Sequence, residues 1–285
     1  MSNGAGTIYL VATPIGNLED MTPRAARVLA EVDLIAAEDT RHSGPLLKHL
    51  GVSTRMVAYH EHNEDKKTSE LIEQVSAGKN LALISDAGTP LVSDPGYRLV
   101  AAAHEAGITV SPIPGPCAAI VALSASGLAT NEFLFAGFPP AKQLARQHFL
   151  ERYAACPQTL IFYESAHRIV DSIADMAAVF GSDRVAVIAR ELTKKFETIH
   201  QDTLGPLANW VATDPHQQKG EFVVLVQGKA GRPDEDAIDA ASDKLLKLLA
   251  AELPPKKAAG IVAEVSGFSK NRLYQRLISE KSEKE

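Results

Sequence analysis

Apolar positions along this chain follow two alternating rhythms. Short unbroken apolar runs at 7–12, 32–37, 56–59, 81–85 and 108–113 have the length and β-branched content of buried strands. Between them, apolar residues recur three and four positions apart, first in a helix opening at Thr22-Pro23, where proline suits the first turn, then around 43–50, 65–77 and 97–106. Strands apolar on both sides that alternate with helices predict a parallel sheet covered on both faces. The rhythm resumes after Pro114-Gly115-Pro116 with a small-residue helix at 117–126. Strands are expected at 133–138, 159–163, 184–189, 197–200 and 221–227, with helices near 141–154, 166–179 and 204–212. Some of these strands leave no room for a helix between them, so the second sheet should be mixed. The expected organisation is an α/β domain over 1–117 and a second α/β domain over 118–230.

From Gly231 the character changes. Arg232-Pro233-Asp234-Glu235-Asp236 reads as a polar linker, and leucines at helical spacing follow over 237–251. Two further short helices, broken at Ser266-Gly267, suggest a small helix-turn-helix unit in 231–285. The last of them carries Lys270, Arg272 and Arg276, candidates for contact with RNA. The alternative for these cations is an ordinary solvated surface.

Composition narrows the function. At 285 residues and 45% hydrophobic content the chain has material for two sizeable cores. Neither a run of about eighteen apolar residues nor a signal-peptide pattern is visible, so a soluble cytoplasmic protein is expected. Two cysteines, Cys117 and Cys156, are too few for a disulfide framework or a zinc ribbon. A net charge of -6 argues against non-specific coating of nucleic acid but leaves room for a local basic face. The pair His60 and His62 would share a face of a strand, yet no third ligand is evident and no metal is expected.

Three strand-end segments carry the candidate chemistry. Ile84-Ser85-Asp86-Ala87-Gly88-Thr89-Pro90-Leu91-Val92-Ser93-Asp94-Pro95-Gly96 lies between a strand and a helix, where open sheets bind ligands. Its two glycines permit tight backbone and its two inner prolines fix the path. Ala12-Thr13-Pro14-Ile15-Gly16-Asn17 follows the first strand without a dinucleotide fingerprint or a P-loop, which disfavours a dinucleotide or triphosphate there. The segment 112–119, from Pro112 to Ala119, has small residues that admit close approach of a ligand to backbone. Three such loops from one sheet can converge on one pocket.

Together with Ala37-Glu38-Asp39-Thr40-Arg41-His42, His60-Glu61-His62-Asn63-Glu64, Phe162-Tyr163-Glu164-Ser165 and Ala189-Arg190-Glu191-Leu192-Thr193-Lys194, these segments resemble the tetrapyrrole methylase family. Within it they are most similar to the bacterial enzymes that methylate the ribose 2′-oxygen of a cytidine in the decoding region of small-subunit (16S) ribosomal RNA. The resemblance runs from about Ile8 to Gly228, and the tail looks like that subfamily's helical extension. It implies a cleft between the two α/β domains that binds S-adenosylmethionine, usually in a homodimer. It also implies cofactor contacts at Pro14, Ser85, Asp86, Thr89, Cys117, Ala118, Glu164 and Leu192.

Methyl transfer from a sulfonium is an in-line displacement that needs alignment and no metal and is helped by a base or by a cation that lowers the acceptor's pKa. Glu191 and Lys194, after a strand expected to end at the cleft, are the candidate catalytic pair; the alternative is a surface ion-pair cluster with Arg190 and Lys195. Arg41, His42 and Lys195 are candidate phosphate contacts on the same face. Two other functions share the fold. One is a tetrapyrrole (precorrin-type) or modified-histidine methyltransferase, the other a non-catalytic RNA-binding assembly factor.

Overall fold

A computed structural model of the chain describes residues 4–229, 238 and 240–282. These fall into two compact units, one ending at Lys229 and the other made of the C-terminal helices.

The first unit contains two five-stranded sheets. Strands β1 (Thr7–Val11), β2 (Leu34–Ala37), β3 (Met56–Ala58), β4 (Leu81–Ile84) and β5 (Thr109–Ile113) form a parallel sheet in the order β3-β2-β4-β1-β5. Helices α1 (Pro23–Glu31), α2 (Thr40–His49), α3 (Glu64–Ser76) and α4 (Tyr97–Glu105) connect them. Successive residues explain why the runs were unbroken. Leu34, Ala36, Leu81 and Leu83 face one apolar layer, while Ile35, Ala37, Ala82 and Ile84 face the other, so every position is buried. Thr22 caps α1 by accepting from the Ala25 amide, with Pro23 in the first turn as expected.

Helix α5 (Ala118–Ala125) begins the second half. Then come β6 (Phe133–Gly137), α6 (Gln143–Glu151), β7 (Thr159–Ser165), α7 (Ile169–Phe180), β8 (Val185–Arg190), β9 (Thr198–Thr203), α8 (Leu204–Thr213) and β10 (Glu221–Val226). The sheet order is β6-β7-β10-β8-β9. Only β6 and β7 pair in parallel and the other pairs are antiparallel, which is the mixed sheet expected. One face packs Leu160, Phe162, Ile188 and Val224 under α6, α7 and α8; the other packs Ile161, Val187 and Val223 under Ala119, Ala122 and Leu123 of α5. Residue 117 lies between β5 and α5, the helix that packs on the second sheet.

The second unit holds α9 (Ala240–Glu252), α10 (Pro255–Ser266) and α11 (Lys270–Ser282). Leu246, Ala258, Ala259, Val262 and Leu273 are fully buried between them. Gly267, at φ 76°, ends α10 in the left-handed conformation, and the turn to α11 places Phe268 under the Arg272 guanidinium, 5.8 Å from its ring centre. The linker expected around 232–236 lies outside the described residues.

Candidate active site

Because β4, β1 and β5 are neighbours, their carboxyl-terminal loops are neighbours too. They are tied together. Thr13 and Gly88 exchange backbone hydrogen bonds of 2.9 and 3.0 Å, and the Thr89 hydroxyl donates to the Pro116 carbonyl at 2.9 Å. Gly88 sits at φ 85° and Gly96 at φ 129°, conformations that a side chain resists. The far end of the long loop is fastened by Glu64, whose carboxylate accepts the Gly96 amide at 2.7 Å. Glu64 drew no assignment from the sequence, since a glutamate opening a helix reads as an ordinary first-turn residue.

A cavity of about 410 Å³ lies between these loops and the second sheet. Asp86, Thr89, Ala118, Glu164 and Leu192 line it, so five of the eight expected cofactor positions share one hollow. Ile15, rather than its neighbour Pro14, supplies the wall from the first loop. Ser85 is buried beneath the long loop, with its carbonyl accepting from the Thr13 hydroxyl at 3.4 Å. Cys117 caps the start of α5 beside the Tyr163 hydroxyl, which itself accepts from the Ala119 amide at 3.2 Å. Burial first, then the neighbouring Cys117, push the Tyr163 phenol well above its usual range, so it stays protonated.

Among the described residues the charged lining is acidic throughout: Glu38, Asp86, Asp94, Glu164 and Glu221, with no lysine, arginine or histidine. Two of these are balanced from behind. Glu164 pairs with Arg168 at 3.0 Å, and Glu221 pairs with Lys194 at 2.9 Å. Glu38, Asp86 and Asp94 remain as a group of uncompensated carboxylates at the ends of β2 and β4. Burial pushes the Glu38 carboxyl up, and burial with the nearby Glu38 and Asp86 charges pushes Asp94 up to about 6. Glu164 is buried, and its Oε2 has no hydrogen-bond partner although Oε1 accepts the Ser165 amide at 2.8 Å. That oxygen is closed off within the wall, an acceptor left unmet in the structure.

Three carboxylates without an ion-pair partner suit a ligand that carries positive charge, and Ile15, Val92, Leu192 and Phe222 give an apolar wall that suits a flat ring. A phosphate-bearing ligand would meet repulsion at the same place.

Glu191 and Lys194 stand elsewhere. Lys194 Nζ is 2.9 Å from both Glu191 Oε1 and Glu221 Oε2, and Glu191 accepts the Glu221 amide at 3.0 Å. Neither residue lines the cavity. Desolvation opposes both charges, but the mutual pairing outweighs it, holding Glu191 below and Lys194 above their usual ranges. Arg190 is buried and pins the turn by donating to the Lys219 and Phe196 carbonyls. Lys195 is exposed over the Phe196 ring and, with Lys194, His49 and Gly16, lines a second, open groove. Arg41 is exposed and paired with Asp39 at 2.7 Å, and His42 is exposed beside it at the start of α2. In the tail, Lys270 is exposed, Arg272 is half-buried and Arg276 pairs with Asp243 at 2.9 Å. No helix among the described residues is long and apolar enough to cross a membrane.

Comparison with known proteins agrees with this architecture. Residues 7–208 match the model of the Tetrapyrrole (Corrin/Porphyrin) Methylases, and residues 236–281 match the RsmI C-terminal HTH domain. The chain is 54% identical over 275 residues to a Haemophilus influenzae protein named ribosomal RNA small subunit methyltransferase I, covering 96% of this chain and 97% of that one. An Escherichia coli O157:H7 protein of the same name is 53% identical, with 96% and 95% covered. Among solved structures, the uroporphyrin-III-C-methyltransferase of Thermus thermophilus superposes with a TM-score of 0.54 at 22% identity, covering 78% of this chain and 94% of that one. A diphthine synthase gives 0.58 at 16%, with 79% and 90% covered. At such identities these structures speak to the fold, which they share. The chain belongs to the tetrapyrrole methylase family, on the branch of the proteins named ribosomal RNA small subunit methyltransferase I.

Proposed function

We propose that this chain transfers a methyl group from S-adenosylmethionine to the ribose 2′-oxygen of a cytidine in the decoding region of 16S ribosomal RNA. It is an rRNA methyltransferase; the donor, the atom methylated and the nucleotide are the finer parts of the reading. The observation that carries it is the acidic, phosphate-repelling cavity at the loops of β1, β4 and β5, in a chain whose near relatives bear an rRNA methyltransferase name. The donor supplies an activated methyl on a positively charged sulfur.

The protein's part is alignment, exclusion of water and management of one proton, and alignment alone can account for roughly 7–11 kcal/mol of barrier in favourable cases. Asp86 and Glu38 hold the cationic end, and Glu164 takes a donor group through its free Oε2. Pro14, Ser85, Thr89 and Cys117 fix loop shape more than they touch ligand, while Ala118 and Leu192 supply wall. We assign Glu191 and Lys194 a positioning role: they clamp Glu221, which lines the cavity. Arg41, His42 and Lys195, with Lys270, Arg272 and Arg276 of the tail, are proposed to meet RNA phosphates. The working form is proposed to be a cytoplasmic homodimer acting on the small ribosomal subunit.

Radiolabelled donor offered separately with under-methylated small subunits, free rRNA and a precorrin-type tetrapyrrole tests the reading. Label should enter RNA and survive in an alkali-resistant dinucleotide, because a methylated 2′-oxygen cannot attack its neighbouring phosphate. Label in the tetrapyrrole alone would overturn it, and absence of donor binding at millimolar concentration would favour a non-catalytic assembly factor.

A further inference from the structure

Phe138 lines the cavity and is also 50% exposed, whereas Ile15, Leu192 and Phe222 of the same lining are buried. A phenylalanine in water says little alone, but the backbone aims this one. In the pairing of β6 with β7, Phe135 faces Ile161 and Gly137 faces Phe162, so Ala136 is an extra residue, a bulge at the edge of the sheet. Gly137 sits at φ 71°, with Ser93 Oγ of the long loop 3.6 Å from where a Cβ would stand, and the strand ends there. Buried Pro139 and then Pro140 stiffen the exit. Arg168 Nη1 donates to the Pro139 carbonyl at 3.2 Å, and the Nε of the same side chain pairs with Glu164 on the cavity wall. The Phe138 and Tyr163 rings meet edge to face, their centres 5.5 Å apart. Tyr163 is itself fixed, by Phe135 at 4.8 Å between ring centres and by the Ala119 amide. An edge-to-face contact takes up at most one face of the Phe138 ring, and its exposed half leaves room for a second flat group.

We propose that Phe138 is the platform on which the base of the acceptor nucleotide stacks while its ribose hydroxyl is presented to the donor. This rests on the reading of the cavity as the donor site and of the acceptor as RNA. A ribose oxygen comes into line with the donor's methyl only when its nucleotide leaves its neighbours, and a base so unstacked bares a flat face that protein aromatics cover. The buried apolar wall serves the donor's ring and the carboxylates its charge. A half-exposed ring, set by a bulge and held by Tyr163, is placed for a group arriving from solvent. The acidic lining repels phosphate, so the nucleotide enters by its base and sugar while its phosphates stay outside. Stacking on a ring face tolerates any base, so Phe138 holds the nucleotide rather than selecting cytidine.

The test uses the full chain, S-adenosylmethionine and under-methylated small subunits. Phe138→Ala should lower kcat/KM for subunits by about 5- to 150-fold, the range of one lost base stack, while donor affinity by calorimetry stays within roughly twofold. Phe138→Leu keeps bulk without a flat ring and should stay slow. Phe138→Tyr keeps the ring and should recover to near the wild-type value. A Leu variant as fast as wild type, or a Tyr variant as slow as the Leu one, overturns the assignment, because bulk or the integrity of the turn would then be what matters. Donor affinity that falls with the rate in the Leu variant gives the ring to the donor's adenine and overturns it too. Failure of the wild-type chain to label RNA at all would sink the functional reading; wild-type labelling with an unaffected Ala variant would sink this inference alone.

Discussion

At the residue scale, Glu164 Oε2 is buried within the cavity wall without a hydrogen-bond partner. An acceptor left in that state costs on the order of 1–3 kcal/mol, which is recovered when the side chain turns this oxygen to a donor group on the bound ligand. Replacing it by Glu164→Gln leaves the volume but turns one oxygen into an amide that repels a donor and weakens the Arg168 pairing. Donor affinity measured by calorimetry should fall about ten- to a hundredfold. Unchanged affinity would remove Glu164 from the donor site. The identity of Glu164 could be picked out from the sequence by its resemblance to the family; its orphaned oxygen could not, because the partner of one oxygen, Arg168, arrives only when α7 begins one turn after β7 ends. Glu191 teaches the converse. A glutamate and a lysine after a strand look alike whether they face substrate or each other, and here a turn with Glu191 at φ 50° and Thr193 at φ 64° directs them to each other and to Glu221.

Among elements, α6 and α7 are joined by a buried ion pair. Arg146 Nε lies 2.6 Å from Asp175 Oδ2 with both side chains almost wholly buried, and Gln143 and Gln147 donate to the other carboxylate oxygen. Burial raises the Asp175 carboxyl, but the Gln147, Arg146 and Gln143 donors outweigh it and hold it below its usual range. Its contribution to stability is therefore present above the ordinary carboxylate range and lost as pH falls. Asp175→Ala should cost about 3–5 kcal/mol in urea unfolding, because it strands a buried guanidinium. Replacing both partners by apolar residues should cost less; equal costs would mean that lost packing, not stranded charge, is responsible. Helix–strand assignments at this scale were readable from the hydrophobic pattern, since the inner strands β2 and β4 are apolar on both faces while helices such as α1 and α4 bury one face.

For the whole molecule, the split at Lys229 predicts separable duties. Removing residues 233–285 should leave donor affinity unchanged by calorimetry and weaken binding to small subunits, with a shallower dependence on salt as phosphate contacts are lost. Lost donor affinity in the truncated chain would show that the tail serves the donor site. Sequence by itself settled the alternation of strands and helices, the parallel sheet followed by a mixed one and the three loops at one sheet edge, because hydrophobic period and glycine–proline turns are local properties. It also carried the family, through the string from Ile84 to Gly96. Only the tertiary structure decided which carboxylates stay free. Ion pairs such as Glu191 with Lys194, clamps such as Glu38 on the Asp86 amide and the shared burial that raises Asp94 all join residues far apart in the chain or set in strained turns, and charge balance at such a place exists only once the strands have brought them together.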